Sequence, residues 1–378
     1  MRRANRFLLI LLAIALLAGA AACGSFGSSS AQRPIDDDND VSPADDDDDD
    51  DGSPAVDDDQ SPDDDASPAD DDDDDDDNDD TALTWSSMTS NTTVPLTAVW
   101  GSSASDVYVV GGDIRDQYGA VLHYDGSSWS TLTTGESTAA LYGVWGSGPA
   151  DVYAVGEDWN SGDELILHYD GASWTTTSPT TTPHLNAVWG SAASDIFVVG
   201  DYGTVLHYDG AAWSPMQSGE SISALYGVGG TVANVFAVGQ FGVILHYDGS
   251  AWSGMTSGTA GDLHGVWTAS AADVFAVGWG TNIEAVVLQY DGKTWTSMTT
   301  GVTADLGGAW GASATDIFVA GTFYDNVGSP ISGELMHYGG AVWSGRPTYG
   351  PNLYGAWGSS ATDIFFVGDS GTILHHGP

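Results

Sequence analysis

Six histidines recur in one short motif, Leu-His-Tyr or a close variant of it. They are His123, His168, His207, His246, His337 and His375. Imidazole rings bind transition metals and carry protons near neutral pH, so converging histidines would indicate a metal site or a proton relay. Each of these residues, however, occupies the same place in a different copy of a repeat. We therefore expect them to be spread around the fold as hydrogen-bonded structural residues.

A set of aspartates repeats in the same way, each just after a turn. The set is Asp106, Asp151, Asp195, Asp273, Asp316 and Asp363, with Asn234 in the remaining copy. Short carboxylate and amide side chains at turns accept hydrogen bonds from nearby backbone N–H groups. We expect these residues to cap turns, and we assign no catalytic residue among them.

Residues outside the repeat pattern are better candidates for recognition. They lie in four insertions, Gly111–Gly119, Gly156–Glu164, Gly278–Glu284 and Gly321–Glu334. The candidate ligand-binding residues are Asp113, Arg115, Asp116, Glu157, Asp158, Trp159, Asp163, Trp279, Tyr324 and Asp325. Aromatic rings beside carboxylates suit a protein partner or the faces and hydroxyl groups of a glycan, and variable loops on a rigid scaffold commonly carry recognition.

Two alternatives to a non-catalytic binding module stay open. A glycan-active hydrolase or lyase would use acidic residues of the same insertions, with carboxyl groups ~5.5 Å apart for retention or ~6.5–9.5 Å apart for inversion. Glu157, Asp158, Asp163 and Glu164 are available for such a pair. The other alternative is a purely structural surface protein. No nucleophile elbow, phosphate-binding loop or His-rich metal motif occurs in the sequence, which favours binding over catalysis.

One stretch, Leu185–Ser214, shows what must position these residues. It predicts four short strands, at Asn186–Trp189, Asp195–Val199, Thr204–Tyr208 and from Trp213 onward, each rich in β-branched or aromatic residues and ended by turn residues. The pair Asp209-Gly210 predicts a tight hairpin, because Gly adopts positive φ and Asp bonds neighbouring backbone N–H groups.

The unit recurs seven times. Its first-strand tryptophan appears at Trp100, Trp145, Trp189, Trp267, Trp310 and Trp357, with Gly229 in the degenerate copy. Four strands in a period of about forty residues are typical of a β-propeller blade. The sequence therefore predicts an all-β, seven-bladed propeller over residues 83–378, in which the repeat tryptophans anchor neighbouring blades.

The two ends of this region complement each other. The last unit stops at His375-His376-Gly377-Pro378 without a fourth strand, whereas Trp85 precedes the first complete unit. We expect Leu83–Met88 to pair with Thr372–His375 and to close the ring, because closure removes two open sheet edges.

The formal charge of −46 is divided unevenly. Residues 36–80 hold 27 of the 53 acidic residues, and the propeller region holds 26 against Arg115, Lys293 and Arg346, a charge of about −23. Binding to nucleic acid requires Lys and Arg to neutralise phosphate. We therefore expect no nucleic-acid partner, and we expect the chain to be monomeric.

The first 22 residues predict an export signal. Arg2, Arg3 and Arg6 precede the apolar run Phe7–Ala22, which ends in small residues just before the single cysteine, Cys23. This junction resembles the bacterial lipoprotein box, with Ala20 in place of the usual Leu. The resemblance implies cleavage before Cys23 and lipid on its sulfur, and Gly24 in place of Asp implies the outer membrane or cell surface. Ordinary secretory cleavage near Ala22 is the alternative.

Residues 23–82 predict a disordered tether. Asp blocks alternate with Ser-Pro pairs and show no apolar periodicity, so the segment cannot bury enough apolar surface to fold, and its charges repel one another. We expect weak, diffuse Ca²⁺ binding at most, because Asp70–Asp80 lacks the glycine turns of a calcium loop. No other cofactor or metal is expected.

The repeats also resemble known propellers. The turn HYDGSSW at 123–129 resembles the Asp-box of sialidase-like propellers, and the whole VWGSSxxDVYxVG–GxxLHYDGxxW unit is similar to repeats of bacterial surface lipoproteins and of propellers of the photosystem II assembly-factor type. The resemblance implies the fold. A sialidase mechanism would require three arginines, of which the propeller has two, and the basic patch expected of the assembly factors is missing.

Overall fold

The computed structural model describes residues 84–377, apart from 114–117, 137–138, 180–182, 283, 326–329 and 348–349. The predicted export signal (1–22), Cys23 and the acidic tether lie outside the described residues, as do Arg115 and Asp116. Among the residues described, no helix is long and apolar enough to span a membrane.

The described part of the chain forms seven four-stranded antiparallel sheets, numbered here as blades in chain order. Strand β1 (Ser86–Ser87) comes first in the sequence and belongs to blade 7. Blade 1 comprises β2 (Leu96–Ser103), β3 (Asp106–Asp113), β4 (Tyr118–Tyr124) and β5 (Trp129–Thr131). Blade 2 comprises β6 (Ala139–Gly148), β7 (Asp151–Asp158), β8 (Glu164–Tyr169) and β9 (Trp174–Thr177). Blade 3 comprises β10 (Leu185–Ala192), β11 (Asp195–Gly200), β12 (Val205–Tyr208) and β13 (Trp213–Pro215).

Blades 4 to 7 complete the set. Blade 4 comprises β14 (Leu225–Thr231), β15 (Asn234–Gly239), β16 (Ile244–Tyr247) and β17 (Trp252–Met255), and blade 5 comprises β18 (Asp262–Ser270), β19 (Asp273–Trp279), β20 (Ala285–Tyr290) and β21 (Trp295–Met298). Blade 6 comprises β22 (Ala304–Ser313), β23 (Asp316–Tyr324), β24 (Pro330–Tyr338) and β25 (Trp343–Pro347). Blade 7 comprises β26 (Leu353–Ser360), β27 (Asp363–Gly368) and β28 (Ile373–His376), together with β1. The first strands contact one another in cyclic order, with β26 against β2, so they line the centre of the ring.

The predicted ring closure is confirmed. Ser86 pairs with His375 and Ser87 with Leu374, so β1 becomes the fourth strand of blade 7. Trp85 packs edge-on against Phe366, with ring centroids 5.1 Å apart. The two ends of the propeller are thereby held by both backbone pairing and aromatic packing.

Apolar side chains cover both faces of each blade. The second strand is buried along its length, as in blade 3, where Ile196, Phe197, Val198 and Val199 are at most 1% exposed. Side chains of successive residues point to opposite faces of a strand, so these four pack alternately against the preceding and following blades. The core is therefore a series of layers between neighbouring sheets.

The first-strand tryptophans lock neighbouring blades together. A methyl group on Gly146 would lie 2.6 Å from Cη2 of Trp100, which shows how closely the indole covers that glycine. The same arrangement recurs for Trp145 over Gly190 and, across the closure, for Trp357 over Gly101. In blade 4 Gly229 replaces the tryptophan, and the facing position of blade 5 is Thr268 instead of glycine. At the interface between blades 4 and 5, the large residue is therefore replaced by a small one and the glycine that faces it by a larger one.

Two sequence expectations need correction. Asp106 and its equivalents do not cap backbone N–H groups; Asp195, for example, accepts a hydrogen bond from Ser191 and lies 2.8 Å from His207 Nε2. Backbone capping is performed by the aspartate of the Asp-Gly turn instead, since Asp209 Oδ1 accepts from the amides of Ala211 and Ala212. The repeated histidines are confirmed as structural: each described pair lies in its own blade, and His207 also contacts the Phe197 ring.

The four insertions are also more regular than predicted. They were expected to be loops, but much of their length extends the second and third strands into longer hairpins. Glu157 pairs with Glu164 in blade 2, and Thr322 pairs with Gly333 in blade 6. Hydrogen-bonded hairpins fix the direction of their side chains, so the candidate residues sit on a rigid base.

Candidate functional site

One end of the ring, here called the hairpin face, carries the loops between second and third strands and the connections between blades. The opposite end, the turn face, carries the Asp-Gly turns between third and fourth strands. Antiparallel pairing forces this separation, because successive connections alternate between the two ends of a sheet. The four insertions therefore share the hairpin face, as the sequence indicated.

Every inner strand has an irregularity near this face. The residue after the first leucine is left out of the pairing register with the second strand, as a β-bulge. The seven bulged residues are Thr97, Tyr142, Asn186, Tyr226, His264, Gly307 and Tyr354. Bulges re-aim side chains and occur often beside functional sites. These residues form what we call the bulge ring, at the hairpin-face end of the inner strands.

The bulge ring ties neighbouring blades together through polar contacts. Thr97 donates a hydrogen bond to the Leu141 carbonyl of blade 2 at 2.7 Å, and Asn186 donates one to the Leu225 carbonyl of blade 4 at 2.9 Å. His264 lies 2.9 Å from Asp305 of blade 6. These three contacts, made by a hydroxyl group, an amide and an imidazole, differ in chemistry from blade to blade.

The most ordered charged cluster joins blades 2 and 3. The Nδ1 atom of His184 lies 2.8 Å from a carboxylate oxygen of Glu157 and 2.9 Å from one of Glu164. Both glutamates are only 6% exposed. Tyr142 donates a 2.5 Å hydrogen bond to Glu157, and the Leu185 amide donates one of 2.9 Å to Glu164. The cluster is built from two strands, a bulged residue and the blade connection.

The electrostatics of this cluster are those of a buried ion triad. The contacts of His184 with the two glutamates are at ion-pair distance, although neither has the alignment of a hydrogen bond. Glu157 and then Glu164 raise the pKa of His184 to about 10, against the opposing effect of burial. The imidazolium is therefore charged at neutral pH and supplies a positive charge between the carboxylates.

The same three residues are also a possible set of metal ligands. One ligand atom from each of Glu157, Glu164 and His184 lies within 4.8 Å of the others. A divalent ion would have to displace the imidazolium proton, which the carboxylates hold strongly. The ion triad explains the cluster without a metal, and its burial separates both carboxylates from any substrate on the face.

The remaining predicted residues of blade 2 shape the hairpin. Asp158 accepts hydrogen bonds from the Asn160 amide at 2.9 Å and from the Ser161 hydroxyl at 3.2 Å. The carbonyl of Asp163 accepts from the Asp158 amide, which closes the turn around Trp159. Trp159 is half-buried, and its indole nitrogen has no hydrogen-bond partner.

The other predicted residues are divided among three blades. Asp113 ends β3, Trp279 ends β19, and Asp325 directly follows Tyr324, the last residue of β23. Tyr324 is half-buried, and burial together with the nearby Asp305 raises its pKa to about 12. Trp279 pairs with Asp262 in the neighbouring strand. The structure thus brings Glu157 to Glu164, two of the carboxylates offered for the glycan-active alternative. It leaves Asp113, Trp279 and the Tyr324–Asp325 pair on three separate hairpins.

Sequence reasoning missed the bulge ring and His184. A signal was present: the repeated first-strand motif reads Leu-x-Ala/Gly-Val/Ala followed by Trp or Gly229, and the second position is the one that varies freely between copies. His184 lies one residue before that motif and outside the Leu-His-Tyr series, which distinguished it from the structural histidines.

Comparison with solved structures supports this fold. YCF48 bound to D1 peptide is 16% identical with a TM-score of 0.61, and the match covers 78% of this chain and 97% of that chain. YCF48 from Cyanidioschyzon merolae is 15% identical with a TM-score of 0.60, covering 78% and 99%. The WD40 β-propeller domain of Doa1 is 12% identical with a TM-score of 0.58, covering 77% and 94%. The chain is similar to these proteins in fold.

Neither a protein-family model nor a curated protein sequence matches the chain. The strand order places the chain in the class of seven-bladed β-propellers with four-stranded blades, and the pairing of β1 with β28 closes the ring.

The ion triad predicts a pH-dependent stability. Replacing His184 by Gln leaves two buried carboxylates without their cation and should cost about 3 kcal/mol near pH 6. Because the pKa of His184 is raised in the folded state, its contribution is complete below the unfolded pKa of about 6.5 and is lost as the pH rises through about 10. The free energy of unfolding of the unmodified chain and of His184→Gln is measured with denaturant at pH 6 and pH 10. The difference between the two proteins should be smaller at pH 10 than at pH 6.

His207→Gln is the matched control, because Gln289 occupies the equivalent place in blade 5. The free energy of unfolding of this variant should fall by less than about 1 kcal/mol. A difference for His184→Gln that stays constant or grows toward pH 10 would contradict the ion triad.

Proposed function

We propose that the chain is an exported lipoprotein whose propeller is a non-catalytic binding module for a protein partner at the bacterial cell surface. The observation that carries the binding role is the contrast between the two ends of the ring. The turn face repeats an Asp-Gly turn in blades 1 to 5 and has Gly339-Gly340 in blade 6, whereas the hairpin face carries four different hairpins and a bulge ring with five residue types at its seven positions.

A protein partner is favoured by the fold and by the carboxylates. YCF48 bound to D1 peptide is a propeller of similar fold that holds a peptide. Two of the four carboxylates offered for a glycosidase pair, Glu157 and Glu164, are buried and bridged by His184, so the glycan-active alternative gains no support from their geometry. A third, Asp158, accepts hydrogen bonds within its own hairpin turn. The aromatic residues of the hairpins suit a partner surface with apolar side chains.

The cell-surface location rests on the sequence alone. The basic start, the apolar run Phe7–Ala22 and the single Cys23 support export and lipid attachment, and residues 24–82 are long enough to hold a folded head away from a membrane. Gly24 in place of Asp supports the outer membrane or cell surface over the inner membrane.

Lipid attachment is tested by Cys23→Ser in the full chain. We expect the unmodified chain to incorporate labelled fatty acid and to sediment with the membrane fraction, because thioether-linked lipid is an anchor that buffer does not release. The variant should lose both properties while still being exported. Release of both proteins from the membrane fraction, without label, would contradict the lipoprotein assignment and favour ordinary secretory cleavage.

The binding face is tested by photo-cross-linking in the producing cell. p-Benzoylphenylalanine is placed at Asn160 or Asn282, exposed on the hairpins of blades 2 and 5, or at Ala172 or Lys293, exposed on the turn face of the same blades. We expect discrete protein adducts from the first pair only.

Adducts from Ala172 or Lys293 alone would place binding on the wrong face and contradict the proposal. A parallel thermal-shift screen of the full chain against cell-wall oligosaccharides separates protein from glycan ligands, because a ligand at about 100 times its Kd stabilises a fold by about 2.7 kcal/mol.

A further inference from the structure

Three large apolar side chains stand out into solvent on the hairpin face of blades 3 and 4. Tyr202 is 64% exposed, Ile222 is 80% exposed and Phe241 is 64% exposed. Blades 3 and 4 have no insertion, so these residues lie on short turns instead of long hairpins. We call them the Tyr202–Ile222–Phe241 patch.

Backbone hydrogen bonds show that the three residues are neighbours. The Gly203 amide donates to the Ser223 carbonyl at 2.8 Å, and the Gln240 amide donates to the Ala224 carbonyl at 2.8 Å. The segment that carries Ile222 is thus held between the turn of Tyr202 and the turn of Phe241. The three residues therefore lie on adjacent backbone segments at the interface between the two blades.

Two of the three residues have an unfavourable backbone conformation. Tyr202 has φ 55° and Phe241 has φ 59°, each followed by a glycine that also has positive φ. Such two-residue turns favour Asn or Gly at the first position, and positive φ is rare for bulky side chains. Blade 7 forms the same turn with Ser370, which shows that the fold does not require an aromatic residue there. Strain and exposure together indicate a role outside folding.

The third residue is presented by a built loop. One carboxylate oxygen of Glu220 accepts hydrogen bonds from the amides of Ser221, Ile222 and Ser223, at 2.8, 2.8 and 3.2 Å. These bonds, beginning with that of the Ile222 amide, also lower the pKa of Glu220. Ile222 is therefore held in an outward position beside a carboxylate.

The surroundings of the patch are acidic. Asp262 accepts a 2.8 Å hydrogen bond from the Phe241 amide, and the Glu220 carboxylate lies beside Ile222. Asp201, which precedes Tyr202, is 3% exposed and accepts a hydrogen bond from Asn186, so it does not add to the surface charge. No lysine or arginine occurs in the sequence between Arg115 and Lys293. An apolar centre with negative charges beside it is complementary to an apolar side chain flanked by positive charges.

We infer that the Tyr202–Ile222–Phe241 patch is the docking site for a protein segment in which an aromatic or aliphatic residue is flanked by Lys or Arg. This inference rests on the proposed function and assigns it a sector of the hairpin face and a partner chemistry. A second copy of this chain would bring the same acidic residues together, and an anionic membrane would be repelled by them, so both are poorer occupants.

The test uses random dodecapeptides displayed on phage and the full chain. Phage are first depleted on the Tyr202→Ser/Phe241→Ser variant, which keeps the acidic tether and every carboxylate, and are then selected on the unmodified chain. Serine reproduces the turn of blade 7, so the variant should unfold at the same denaturant concentration or a higher one. Tyr202→Asn/Phe241→Asn serves as a second variant, since Asn tolerates positive φ.

We expect the selected peptides to contain an apolar residue beside Lys or Arg. Each should bind at least about tenfold more weakly to either variant, the effect of losing one buried anchor. Val232→Ser is the matched control: Val232 is 73% exposed in blade 4 but lies on the turn face, so this change should leave the affinity unaltered.

Three results would overturn the inference. In the first, no selected peptide depends on the patch for binding. In the second, the selected peptides depend on the patch but contain no basic residues. In the third, the chain self-associates and Tyr202→Ser abolishes the self-association, which would make a second copy the occupant. Cross-linking from Asn160 or Asn282 that persists in any of these cases would leave the proposed function standing.

Discussion

The packing of one tryptophan over one glycine, which occurs at five of the seven blade interfaces, is the interaction on which the rest of the structure depends. The indole of Trp100 covers Gly146 so closely that no side chain fits between them, and Trp357 covers Gly101 where the ring closes. Sheets buried on both faces need neighbours on both sides, so the blades are stable only as a set. The pairing of Ser86–Ser87 with β28 supplies the fourth strand of blade 7, so this blade has four strands like the other six.

A closed ring allows its two ends to differ. On the turn face, Asp-Gly turns and His–Asp pairs repeat because they hold each blade's own strands together, as His207 and Asp195 do in blade 3. On the hairpin face, the bulge ring and the blade connections differ from copy to copy. The Glu157–His184–Glu164 triad and the exposed turns of blades 3 and 4 both belong to this end. The residues that differ between blades thus lie at the hairpin face, where the fold does not require the same residue in every copy. This distribution is consistent with recognition at that face.

The sequence was sufficient to predict the fold because each blade repeats the same local signals: β-branched runs, Asp-Gly turns and tryptophans at fixed places. The structural role of the Leu-His-Tyr histidines followed from the same repetition. The triad could not be predicted, because it joins Glu157 of one blade to His184 of the next connection, and such contacts depend on the twist between sheets. The role of Asp195 was mispredicted because the distance to His207 depends on strand pairing, whereas a turn motif describes only neighbours in sequence.

The central claim, that tryptophan-over-glycine contacts lock the ring, is tested most directly by comparing Gly146→Ala with Gly148→Ala in denaturant unfolding. Both glycines lie in β6, but a methyl group at 146 would lie 2.6 Å from Cη2 of Trp100 and 2.8 Å from the Asp151 carbonyl oxygen, whereas one at 148 would meet nothing within 4 Å. Making Gly146→Ala also in a Trp100→Leu background separates the two contacts, because only the contact with the carbonyl oxygen remains there. The account predicts a loss of about 1–3 kcal/mol for Gly146→Ala from overpacking and no loss for Gly148→Ala. Equal stability of the two variants would contradict it.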